Sequence, residues 1–381
     1  MKKALINTNI VMPEYVIREG VIIIEDGRII DFGRKLPTNN IPTVDLDGAY
    51  TGPGLIDIHT HADGVDSFFY EDPISAAKTV LSHGVTDVLP AVYFNMNAEE
   101  LISAIGKIRA AMESGEANNI IGIYMEAPYL NPKYGCNKEN NPWVLPVDPE
   151  RYMPVVEAAY DIAKVWCLAP EREGIERFCR DVKAKNPSAV FSVAHSEAEP
   201  KDIEKLLKYG LKCATHSTNA TGTIVKYPEC RGVCVDEAVF YNDSIYTELI
   251  CDKMGIHVDP YMLRLVKKIK GDDRIILISD SFIEHGPVPD EGCYDGVDDI
   301  NFDSTGEIAG TKLTLDLACR NMMMNTGSSL CQVFKYASTN PARMLSLGDR
   351  GEIAVGNVAN LLVVDAEFNI KKVFLGGEEI Q

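Results

Sequence analysis

The sequence predicts an α/β protein: a (β/α)₈ barrel with a small β-sandwich domain built from both ends of the chain. Three observations predict it. Short apolar runs alternate with helical patterns from about residue 51 to about 346, an order that implies a parallel sheet with right-handed crossovers. About eight such units fit in that span, which suits a closed barrel. The residues before and after it instead read as short strands with turn signals, and neither end has enough of them for a stable sheet alone. The expected division is 1–50 plus 347–381 for the β-domain and 51–346 for the barrel.

In chain order, Tyr15 to Ile30 holds two β-rich runs split by Asp26-Gly27, a hairpin turn signal. Gly54 to Ile58 is an apolar strand. Strand-like runs follow at Val85–Pro90, Ile120–Met125, Val190–Ala194, Ile245–Ile250 and Arg274–Ser279. Between them, helical patterns cover Ala98–Ser114, Glu171–Lys185, Asp202–Tyr209, Pro260–Lys270 and Leu313–Asn325. Gly351–Ala354, Asn360–Asp365 and Lys372–Gly377 read as closing strands. An open doubly wound sheet is the alternative, but no Gly-x-Gly-x-x-Gly follows any strand.

The chain has 381 residues, 37 Lys plus Arg against 56 Asp plus Glu, and a net charge of −19. That acidity argues against nucleic acid or an anionic membrane surface as partner. No run of eighteen apolar residues appears, so no transmembrane helix is expected. Asn7 and Asn9 break the apolar region of the N-terminus, which argues against a signal peptide. Ten irregularly spaced cysteines fit reduced thiols and a cytoplasmic location better than a disulfide framework. Cys230 and Cys234 lack a second pair at matching spacing, which disfavours a structural zinc site there.

Reactive groups of a barrel sit at the C-terminal ends of its strands. Read in order, those ends carry His59 and His61, Glu126, His195, His216 and Asp280. His59 and His61, two apart, point to one side of a strand. A lone histidine is usually a satisfied core or capping group, and that reading is kept for His83, which stands before Gly84 at an expected helix end. Four of the seven histidines recurring at strand ends is a different matter. His, His, Glu, His, His, Asp is a nitrogen and carboxylate set suited to zinc or a similar divalent ion. Such an ion lowers the pKa of bound water towards neutrality, and Asp280 beside it is placed to move the proton.

These residues sit in words that resemble the amidohydrolase superfamily, and within it the N-acetylglucosamine-6-phosphate deacetylase family. They are Pro53-Gly-Leu-Ile-Asp-Ile-His-Thr-His61, Glu126-Ala-Pro-Tyr-Leu-Asn-Pro132, Ala169-Pro-Glu-Arg172, Ala194-His-Ser196, Thr215-His-Ser-Thr-Asn-Ala220, Gly255-Ile-His257, Ile278-Ser-Asp280, Ala309-Gly-Thr311 and the C-terminal Gly351-Glu-Ile-Ala-Val-Gly-Asn-Val-Ala-Asn-Leu361. The resemblance spans nearly the whole chain. It implies that Glu126, His195 and His216 hold one divalent ion, zinc in kind, and that His59 and His61 hold a second in members that have two. Asp280 would be the general acid/base. Asn219, Ala220 and His257 would contact the sugar phosphate. The reaction implied is attack of a metal-bound hydroxide on the acetamide, releasing acetate and glucosamine 6-phosphate, in a homodimer.

Two loops depart from the family pattern. A family Lys-Gly-x-His stretch after the Glu motif is here Lys133-Tyr-Gly-Cys-Asn-Lys-Glu-Asn-Asn-Pro142, with Cys136 or Asn137 near the histidine's place. A family Arg-Glu-Pro-Gly stretch is here Lys226-Tyr-Pro-Glu-Cys-Arg231-Gly232, leaving Lys226 or Arg231 as phosphate ligand. Since mouth loops set substrate choice, the alternatives are another N-acyl substrate, such as a different N-acetyl amino sugar or an N-acyl amino acid, or a metal-binding barrel without catalysis. Cyclic-amide relatives that bridge two ions with a carboxylated lysine are disfavoured, because Glu126 stands at the bridging position.

Overall fold

The computed structural model describes residues 1–222, 225–289, 294 and 296–380, the side chains of Val225 and Lys226 excepted. The chain opens with β1 (Lys2–Val11), β2 (Val16–Glu25), β3 (Arg28–Arg34), β4 (Thr43–Asp45) and β5 (Tyr50–Pro53). β1, β2 and β3 pair antiparallel in sequence order. Asp26 and Gly27 make the β2–β3 turn at φ 49° and 79°, the left-handed pair that a two-residue hairpin loop requires.

The central region then alternates strand and helix: β6 (Leu55–Thr60), α1 (Pro73–Ser82), β7 (Val85–Tyr93), α2 (Ala98–Glu113), β8 (Ile123–Glu126), α3 (Pro149–Ala159), β9 (Ala163–Leu168), α4 (Ile175–Lys185), β10 (Val190–Val193), α5 (Pro200–Leu207) and β11 (Leu211–Ala214). A small hairpin, β12 (Val225–Tyr227) and β13 (Cys230–Arg231), precedes α6 (Val235–Tyr241), β14 (Tyr246–Ile250), α7 (Pro260–Lys270) and β15 (Ile275–Ile278). A second hairpin, β16 (Ile300–Phe302) and β17 (Ile308–Thr311), leads to α8 (Leu315–Thr326). β6, β7, β8, β9, β10, β11, β14 and β15 form one eight-stranded sheet in that order. Every residue of β6 and β7 is buried, as strands covered on both faces by helices must be.

Helix starts are chemically marked. Asp72, Asp148 and Asp259 each accept an amide of the first turn, and each is followed by proline, the residue preorganised for the first helical position. Asn97 and Glu100 form a capping box at α2. Gly174, at φ 85°, delays α4 to Ile175, later than the periodicity alone suggests. Tyr152 and Phe178 pack edge to face at 5.1 Å under α3 and α4, a preferred aromatic geometry.

The sheet first seen in β1–β5 is completed by β18 (Leu361–Val364), β19 (Ile370–Leu375) and β20 (Glu378–Glu379). β5 pairs with β1 on one side and β18 on the other, which joins the two chain ends. The expected sandwich is one connected sheet with a core cluster that includes Leu5, Ile10, Ile22, Leu361 and Phe374. Gly351–Ala354 takes no strand; Gly351 turns at φ 83° and its carbonyl accepts from Thr339 Oγ1 at 2.8 Å. Only Gly54 separates β5 from β6, and a Cβ there would lie 2.1 Å from Thr86 Oγ1. Among the described residues no helix is long and apolar enough to cross a membrane.

Candidate active site

The barrel brings the strand-end residues to one point. Glu126 ends β8, and His195 and His216 stand two residues past β10 and β11. Asp280 stands two past β15, and His59 and His61 flank the last residue of β6. All six are buried. His195, His216 and Asp280 have positive φ (41°, 28° and 46°). Left-handed backbone at a non-glycine residue costs about 1–3 kcal/mol and persists where the surroundings over-determine it. Here all three such residues lie where the chain leaves the end of a barrel strand.

Glu126 Oε1 lies 2.9 Å from His195 Nε2 and 3.1 Å from His216 Nε2, and those two nitrogens are 3.1 Å apart. Glu126 Oε2 lies 3.2 Å from His61 Nε2 and 3.5 Å from His59 Nε2. Asp280 Oδ1 lies 3.4 Å and 3.5 Å from the same two nitrogens. His61 Nδ1 is 3.0 Å from the Ala91 carbonyl. A carbonyl only accepts, so Nδ1 carries a proton and Nε2 is the ring atom turned to the cavity. Phe282 and Tyr93 hold the His61 ring edge to face at 5.0 Å and 5.6 Å.

Burial works against charge on every one of these groups. Against it, the Asp280 and Glu126 carboxylates hold His59 well above the ordinary histidine range. Hydrogen bonds to the same carboxylates raise His61, and Glu126 raises His216. The imidazoles in turn keep Glu126 and Asp280 below the usual carboxylate range despite burial. Burial lowers His195. Such a cluster calls for positive charge at its centre. His59, His61 and Asp280 form one group whose ligand atoms lie within 4.8 Å of one another, and Glu126, His195 and His216 form a second. His59 Nε2 has no hydrogen-bond partner among the described residues. Buried and convergent, these atoms fit a divalent cation.

The cluster floors a cavity of about 200 Å³ that Asn219, Ala220 and His257 also line. Asn219 Nδ2 donates to the His216 carbonyl at 3.2 Å. His257 Nδ1 lies 3.4 Å from Asp252 Oδ2, and Asp252 also accepts the His257 amide at 2.8 Å. Of the loop candidates, Cys136 lines the cavity, whereas Asn137 donates to Glu284 at 2.9 Å. Arg231 is not brought to the cavity: it is 72% exposed and paired with Glu237. The side chain of Lys226 lies outside the described residues.

Some residues of the site escaped sequence reasoning. Tyr93, Phe282 and Glu307 line the cavity, and Glu248 touches His59 from below. Asp252 lies five residues before His257 and carries it. The available signal for Glu248 and Asp252 was a lone carboxylate in or just past an apolar strand. His83 stands apart, beside Asp316 at 3.4 Å.

Comparison with known proteins agrees with this geometry. Residues 51–380 match the model of the amidohydrolase family. An N-acetylglucosamine-6-phosphate deacetylase of Bacillus subtilis is 27% identical over 95% of this chain and 92% of its own. An N-acetylgalactosamine-6-phosphate deacetylase of Escherichia coli O157:H7 is 26% identical over 96% of this chain and 98% of its own. The crystal structure of an N-acetylglucosamine-6-phosphate deacetylase from Thermotoga maritima, 25% identical, covers 99% of each chain with a TM-score of 0.84. A family match of this length leaves one conclusion about descent: the chain belongs to the amidohydrolase family.

Proposed function

We propose that this chain is a zinc-dependent deacetylase that hydrolyses N-acetylglucosamine 6-phosphate to acetate and glucosamine 6-phosphate. The observation that carries the reading is the convergence of four imidazole nitrogens and two carboxylates on one buried point at the barrel mouth. Relatives spanning nearly the whole chain bear the names of such deacetylases. The family resemblance alone extends the reading to a cytoplasmic homodimer.

In this reading Glu126, His195 and His216 hold one ion, and His59 and His61, with Asp280 beside them, hold a second. A bound divalent ion supplies Lewis acidity to the acetamide carbonyl and acidifies a water. Asp280, ionised at neutral pH, takes a proton from the attacking water. It returns that proton to the amide nitrogen as the C–N bond breaks, and the water oxygen leaves in acetate. His257, steadied by Asp252, faces the sugar together with Asn219 and Ala220. Tyr93 and Phe282 keep bulk water from His61.

One observation favours a second reading, an N-acetyl amino sugar without phosphate. Among the described residues lining the cavity there is no lysine or arginine, whereas Glu307 is present. In the first reading Lys226, whose side chain lies outside the described residues, answers the phosphate. Acetate release by the zinc-loaded protein separates the two. Strong preference for N-acetylglucosamine 6-phosphate over N-acetylglucosamine supports the first, equal or reversed preference supports the second, and turnover of neither rejects both.

A further inference from the structure

Glu248 sits at the centre of β14, fully buried, in the strand sequence Tyr-Thr-Glu-Leu-Ile. A carboxylate in such a place is costly unless donors surround it, and four do. Oε2 accepts from His59 Nδ1 at 3.2 Å and from the His216 amide at 3.3 Å. Oε1 accepts from the Tyr124 hydroxyl at 2.9 Å and faces the Cys213 thiol at 3.4 Å. The Tyr124 ring stacks on His59 with centroids 4.4 Å apart. The Glu248 carbonyl accepts the Ser217 amide at 3.0 Å, next to His216.

One side chain therefore touches both ligand groups: the ring of His59 in one and the main chain of His216 in the other. Its effect on His59 is specific. A neutral imidazole carries its proton on either nitrogen, and only the form with Nδ1–H leaves Nε2 free to bind an ion. An acceptor fixed at Nδ1 selects that form and the ring plane, as partners behind metal-bound histidines do. His61 gets the same service from the Ala91 carbonyl, a main-chain atom that no substitution removes. His59 depends on a side chain.

We propose that Glu248 is a positioning residue of a two-ion centre: it holds His59 in its ligating form, so the second ion is held tightly only while Glu248 is in place. The inference rests on the reading of His59 as a metal ligand. Zinc binding to the metal-depleted protein, followed by calorimetry with metal analysis, tests it in the parent, Glu248→Gln and Glu248→Ala. The parent should take two ions. Glu248→Gln keeps an oxygen acceptor for Nδ1–H and should bind the second ion roughly 10- to 100-fold more weakly. Glu248→Ala should keep the ion at Glu126, His195 and His216 and lose the other. A merely structural role would weaken both ions together or neither. A second ion held as tightly in the variants as in the parent overturns the proposal, and Glu248→Gln decides alone if the alanine variant does not fold. A parent that takes one ion only also overturns it. Acetate release by the parent is scored separately, so the substrate reading stands or falls on its own.

Discussion

The amide of Asp280 donates to the carbonyl of His59 at 3.0 Å, and their side chains meet on the cavity side with Oδ1 3.5 Å from Nε2. The same seam continues as the His61 amide donates to the Ser281 carbonyl at 2.8 Å. These bonds join the first and last barrel strands. The contact that closes the barrel therefore also sets the spacing between the proposed acid/base and the histidines.

Because the seam is main chain, Asp280→Asn should leave it intact. The amide has the shape of the carboxylate but cannot take a proton. Turnover should fall by roughly 10²- to 10⁴-fold, the usual worth of a positioned acid/base, while the ion at Glu126, His195 and His216 stays. Acetate release paired with metal analysis checks this. A variant as fast as the parent would remove Asp280 from the proton path.

Metal removal should destabilise the fold, since ligand binding to the native state alone adds roughly 4 kcal/mol at a thousandfold excess over Kd. Chelation should lower the melting temperature of the parent, and zinc should restore it. His195→Ala takes away one nitrogen facing Glu126 Oε1 and should lower both the zinc content and the size of that thermal response. If zinc content and thermal response match the parent, His195 is not a ligand.

The barrel was legible because its strands are covered on both faces and so read as apolar runs, and because a strand end is a definite place. His59 and His61 followed from strand alternation alone. β9 and β11 were harder to see: Lys164 and Lys212 interrupt runs only six and four residues long, too short for a period. Glu248 was visible as a charge in an apolar strand, but its partner His59 lies 189 residues away, and no local pattern reports such a contact. Arg231 looked available for phosphate; its pairing with Glu237 six residues on depends on how the β12–β13 hairpin meets α6.

Lys270 gives a pH prediction away from the site. It is buried, and Nζ donates to the carbonyls of Val239 and Asn242 at 2.9 Å and 2.6 Å. Burial pushes its pKa from 10.5 down to about 8. Between those values the unfolded chain binds more of this proton than the folded one, so the group adds stability as pH rises through the window. Lys270→Met removes the titration. Relative to the parent, the variant should fare better at pH 7 than at pH 10.5, by on the order of 3 kcal/mol. Denaturant midpoints of both proteins at the two pH values check it, and a pH-independent difference would contradict the burial argument.

Gly310 braces Asp280 from the side. It has φ 62°, and a Cβ there would lie 2.6 Å from the Asp280 carbonyl oxygen and 3.0 Å from Phe282 Cβ. Its neighbour Thr311 donates its amide to the Asp280 carbonyl at 2.9 Å and its hydroxyl to the Ser279 carbonyl at 2.7 Å. The Asp280 turn, itself at φ 46°, is thus pressed between β17 and the seam with β6. Gly310→Ala adds one methyl group and removes no chemistry. The left-handed backbone costs the alanine about 1 kcal/mol, and the close contact must be relieved by moving the Asp280 carbonyl. The variant should melt lower by an amount equivalent to about 1–3 kcal/mol and should lose at least about tenfold in kcat, because a misplacement of about 1 Å in reacting groups costs rate steeply. Zinc uptake by the proposed ligand group Glu126, His195 and His216 should be unchanged. Full kcat together with the lower melting temperature would mean that the hairpin yields rather than Asp280, and that the turn is held by the seam with His59 alone.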